Sequence, residues 1–74
     1  MNQAEFRAAV ARAGITNRDM AAHLGMSEQA LYNKANGKTE FKGSEIVKAA
    51  KLLNLNIDDV NIIFFDASVN NIHT

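Results

Sequence analysis

Two helix-start signatures eleven residues apart, with a glycine between them, are the tightest constraint on what this chain can fold into. Thr16-Asn17-Arg18-Asp19 is a capping-box pattern: the hydroxyl accepts a backbone N–H and an acid three residues on reaches back, with Asp here in place of the usual Glu. Met20, Ala21 and Leu24 follow at helical spacing. Gly25 stops the run, because glycine takes the left-handed conformation at a helix end without steric cost. Only Gly25 and Met26 separate this segment from Ser27, a second cap, which opens Glu28 to Ala35 before Asn36-Gly37 ends it. The pattern predicts helices over about 17–24 and 28–36, joined too tightly to lie apart. Ala21 is the small residue where their backbones approach, and Met20, Leu24, Met26 and Leu31 anchor the crossing from inside. Ordinary helix pairs share the bare Ala-x-x-x-Gly offset, so the spacing fixes a close crossing and leaves function open.

The remaining punctuation is also helical. Asn2 caps a run over about 3–13, with Phe6, Ala9, Val10 and Ala13 on one side and Gly14 at its end. Residues 38–43 read as a loop pinned by Phe41. Ser44 caps a fourth helix lined by Ile46, Val47, Ala50 and Leu53. Asn54 and Asn56 interrupt it, and a last helix over about 58–63 follows Ile57, with Asp58 and Asp59 at its positive end. The expectation is one all-α domain over residues 1–65. Residues 66–74 show no sustained period and read as a tail, frayed or serving as a dimer arm, in which Phe65, Ala67 and Val69 share a side if extended. A 74-residue chain buries only about 60% of its unfolded surface, so a modest core and a partner subunit are expected.

Several functions drop out. The chain has no cysteine, hence no disulfide framework and no thiolate metal site. Residues 1–5 lack a secretory leader's basic-then-apolar pattern, and the run Ile62-Ile63-Phe64-Phe65 falls far short of the ~20 residues that span a bilayer. A cytoplasmic protein without membrane contact is expected. His23 lies one helical turn after Asp19, but two ligands without a third make a poor zinc site. His73 has no companion to make it a base, and no phosphate-binding glycine loop or nucleophile elbow is present, so no enzyme, cofactor or metal is expected. The net charge is zero but unevenly spread. Residues 1–51 carry eight bases against five acids, and residues 52–74 carry three acids and no base. The basic part suits a polyanion.

At this point the sequence resembles the Cro and phage-repressor type of helix-turn-helix domain. The likeness covers about residues 5–65, with its core from Ile15 to Lys38. It also looks like a narrower set of short phage-encoded regulators, through Asn36-Gly37-Lys38, Glu40-Phe41-Lys42, Ser44-Glu45-Ile46 and Phe64-Phe65 in that order. What the resemblance implies is a five-helix, phage-repressor-like DNA-binding domain whose third helix enters the major groove of double-stranded operator DNA. Glu28, Gln29 and Asn33 are then the base-reading candidates. Gln29 and Asn33 lie one turn apart, and an amide matches adenine by offering both a donor and an acceptor. Glu28 could accept from cytosine N4 but repels phosphate. Phosphate contacts are expected from Asn17, Arg18, Ser27, Lys34, Lys38 and Lys42. Asn17 stands where the resembled domains commonly carry Gln, and Lys34 where many carry an apolar core residue.

A domain this small needs two half-sites for useful specificity, so a homodimer is expected. Val60, Ile63, Phe64, Phe65 and Val69 are its candidate interface, with Ile72 beyond them. Tyr32 either reaches DNA or packs on Phe41 or the fourth helix. The reading from another class is an antirepressor that uses the same fold to grip a partner repressor protein. The zero net charge and Glu28 at the groove-facing end of the third helix favour it.

Overall fold

The first three helices each begin where a side-chain oxygen meets an orphan backbone N–H. Asn2 Oδ1 accepts from Glu5 N, Thr16 Oγ1 from Asp19 N and Ser27 Oγ from Ala30 N, each at 3.1 Å. In the computed structural model, which describes residues 1–65, these caps open α1 (Gln3–Ala13), α2 (Asn17–Leu24) and α3 (Glu28–Ala35). Two further helices follow, α4 (Gly43–Leu52) and α5 (Ile57–Phe65), and the described residues contain no strand. Residues 66–74, with the expected tail or arm and Val69, lie outside the described residues.

Both later helices start differently from the expectation. Helix α4 begins at Gly43 rather than after a Ser44 cap, because the Glu45 carboxylate reaches back to accept the Lys42 N–H at 2.8 Å. Helix α5 is longer than 58–63. Asn56 is its cap rather than an interruption: Asn56 Oδ1 accepts from Asp59 N at 2.8 Å while Asp59 Oδ2 accepts from Asn56 N at 3.2 Å. The chain turns into this cap through Asn54, the one non-glycine described residue with positive φ, at 56°. Asparagine tolerates that region better than other side chains.

The turn between α2 and α3 is the tight joint expected. Gly25 takes φ 73°, and Met26 N donates to Ala21 O at 3.0 Å, closing the helix end with a six-to-one hydrogen bond. Helix α2 then packs against both α3 and α4, while α1 packs against α5. The core is Phe6, Ala9, Val10, Met20, Ala21, Leu24, Leu31, Ala49, Leu53, Ile63 and Phe64. The buried alanines Ala21 and Ala49 are the small residues that α2 and α4 bring inward. On α4 the inner register runs through Ile46 and Ala49 to the C-cap Leu53, Ala50 is half-buried, and Val47, expected inside, is 54% exposed.

One end of the core is aromatic. Phe6, Phe41 and Phe64 form a three-ring cluster with centroids 5.3 to 6.1 Å apart, two of the three pairs edge-on. Such pairs add about 0.5–1.5 kcal/mol beyond their area. Phe41 thus pins its loop as expected, against α1 and α5. Asn2 N donates to Ile63 O at 2.7 Å, closing the start of the chain onto the last turn of α5.

Candidate nucleic-acid interface

Helix α3 is lightly anchored and mostly outward. Its only fully buried side chain is Leu31; Glu28, Gln29 and Tyr32 are exposed and Asn33 is half-buried. Gln29 Nε2 donates to Asn33 Oδ1 at 3.1 Å, so the two amides act as a unit. The bond leaves Gln29 Oε1 as an acceptor, with one N–H of Gln29 and both of Asn33 as donors. These are the complements of adenine N6–H and N7.

The expected phosphate contacts fall into two groups, those that are exposed and one that is not. Arg18, exposed on α2, has its Nε 3.9 Å from Glu28 Oε2, so the acid at the start of α3 sits against a base rather than alone. Lys38 and Lys42 are exposed on the loop from 36 to 42, and Asn17 is exposed at the start of α2. Ser27 is exposed, its hydroxyl oxygen accepting from Ala30 N and its O–H still able to donate. Lys34 does not join them. Its side chain is 13% exposed, its Nζ lies 3.1 Å from Glu45 Oε1 and it donates to Glu40 O at 2.9 Å. The expected phosphate contact is therefore turned inward, with the ammonium 5.9 Å from the Phe41 ring centroid. The Lys42 backbone N–H, together with Lys34, holds the Glu45 carboxyl below the usual carboxylate range despite its burial.

Two polar residues of α1 that are not among the expected site residues reach α3. Arg7 donates from a guanidinium nitrogen to Asn36 Oδ1 at 2.9 Å, and Gln3 Nε2 donates to Asn36 O at 2.8 Å. The far end of α3 is thus tied to α1. Between the two helices runs a groove of about 650 Å³ with Val10, Ile15, Leu31 and Ala35 along it and Arg7, Asn17, Glu28, Gln29 and Tyr32 among its polar and aromatic lining. Arg7 follows Phe6 in the core-facing pattern of α1, and nothing in its own neighbourhood of sequence points to Asn36, 29 residues on. Tyr32, 63% exposed, stands at this groove instead of packing on Phe41 or α4.

The expected interface divides. Ile63 and Phe64 are 2% and 9% exposed, because α1 docks on α5 and Phe64 enters the aromatic cluster. They belong to the core and are not available to a partner. Val60 is half-buried against the core, and Phe65 remains exposed at 56%. Ile57, which the sequence reading left out, is exposed at the other end of α5. Among the described residues no group of three or more His, Cys, Asp or Glu is placed to hold a metal, and no helix is long and apolar enough to cross a membrane.

Against known proteins, residues 8–67 match the model of a family described as "protein of unknown function (DUF739)". The chain belongs to the DUF739 family. No curated protein and no solved structure gives a significant match. In this DUF739 chain the matched stretch takes in the α2–α3 pair, the 36–42 loop and the last two helices. It starts after Gln3 and Arg7, the two α1 residues that hold Asn36.

Proposed function

We propose that this protein is a phage or prophage transcriptional regulator that binds operator DNA as a homodimer through α3 in the major groove. The observation that carries the reading is the Gln29–Asn33 amide pair on the outer face of a helix held across the tight Gly25 turn. Gln29 uses its free acceptor and donor on an adenine edge, and Asn33 extends the contact by one turn. Asn17, Arg18, Ser27, Lys38 and Lys42, all exposed, serve as phosphate contacts, with Arg7 beside the groove.

A second reading has its own support. Arg18 and Lys34 are both offset by acids, and the groove between α1 and α3 offers an apolar strip beside the exposed Tyr32. Those features suit an antirepressor that grips a partner repressor protein. Salt separates the two. The test is selection of duplexes from a randomised pool, then binding of the enriched site at two salt concentrations. Operator recognition gives saturable binding that weakens steeply with salt and outcompetes random DNA. Failure of the folded protein to enrich any duplex, or to bind DNA at low salt, overturns it in favour of the protein-partner reading.

A further inference from the structure

We propose that the Lys34–Glu45 ion pair is a positioning element of the nucleic-acid face, tying the far end of the 36–42 loop to α3 so that Lys42 is presented as a phosphate contact in fixed relation to Gln29 and Asn33. The inference rests on the DNA-binding reading above. It starts from the bonds that hold the loop backbone and leave the ammonium groups of Lys38 and Lys42 out of them. Lys34, on α3, bonds the Glu40 carbonyl at 2.9 Å and meets Glu45 at 3.1 Å. Glu45, on α4, accepts the Lys42 N–H at 2.8 Å. At the other end of the loop, Lys38 N and Thr39 N both donate to Asn33 O, at 2.9 and 3.3 Å. The backbone on either side of each exposed lysine is thereby fixed, and one tether is the carbonyl of a proposed base reader.

Stability alone is a poor reason for this arrangement. The two side chains are 13% and 14% exposed, and desolvating a pair of charges offsets much of their attraction; apolar residues of similar size commonly do as well. What an ion pair with directed hydrogen bonds adds is a defined place for two backbone groups, Glu40 C=O and Lys42 N–H. A loop ordered before binding loses less freedom when its lysines meet phosphates.

The test uses the full chain with Lys34→Met and Glu45→Met combined, which keeps apolar bulk and removes the tethers, beside Lys34→Arg, which keeps the charge. Each phosphate neutralised contributes about −0.9 to the slope of log affinity against log salt. In the folded double variant that slope should flatten by about 1 per domain as the Lys42 contact is lost, exchange of the Lys42 amide should quicken at least tenfold, and Lys34→Arg should keep both near wild type. A double variant that stays folded with wild-type slope overturns the proposal while leaving DNA binding intact. Wild-type protein with no salt-dependent DNA binding removes the DNA reading and this role with it. A merely structural role lowers the melting temperature and leaves the slope of the folded protein unchanged.

Discussion

Helices α3 and α5 are nearly equal in length, eight and nine residues, yet they are held in opposite ways. Helix α5 has no basic residue and buries Ile63 and Phe64 against α1. Helix α3 buries only Leu31 fully, and polar ties hold the rest of it: Ser27 at its start, Gln3 and Arg7 on Asn36 at its end, and Lys34 to Glu45 along its side. A helix fixed at its rim by directed bonds keeps its outer face for something else. A helix fixed by apolar area gives its best-packed side chains to the fold.

Substitutions can break that contrast. The largest effect is expected from Phe64→Ala, which empties the aromatic cluster and should cost about 3–5 kcal/mol in urea unfolding. Ala21→Leu should overpack the crossing of α2 and destabilise by about 1–3 kcal/mol, read as a lowered melting temperature. An unchanged melt would mean that α2 is not packed as described.

Acid should act on the rim of α3 through Glu45. The Glu45 carboxyl titrates below its ordinary value, so the stability it contributes is complete above pH 4.5 and is lost as pH falls through the lowered folded-state value. Lys34 and Lys42 are the charged groups facing it. The expected result is loosening of the loop amides below pH 4.5, with a smaller effect in Glu45→Gln. The smallest effect on stability is expected from Phe65→Asp, within about 0.5 kcal/mol of wild type because the ring is exposed. If α5 carries the dimer contact, the same change shifts sedimentation toward monomer; no shift places the contact elsewhere.

How far the sequence could be read follows from the reach of each interaction. The starts of α1, α2 and α3 depend on side chains bonding an N–H three residues on, and the Gly25 turn on φ at one position, so these were legible. Lys34 was misread because its partner Glu45 lies eleven residues away across a loop. Ile63 and Phe64 were misread because what covers them is α1, nearly sixty residues earlier, and an apolar helix alone does not say which of its sides is covered. Expecting Val47 inside, where Ala49 is found, is the same error on a smaller scale: apolar residues two apart fit either register until α2 docks. On the candidate site, the Gln29 and Asn33 spacing was visible because one helical turn joins them, while the Arg7 and Gln3 ties to Asn36 cross the fold and left no local trace.

The central claim is that the outer face of α3 reads bases. The direct measurement is the affinity of Gln29→Ala, against wild type, for the selected duplex and for random duplex at one salt concentration. A loss of about 1–3 kcal/mol confined to the selected duplex is predicted, since a bidentate amide contact discriminates by that much. Equal losses on both duplexes, or none on either, would contradict the assignment.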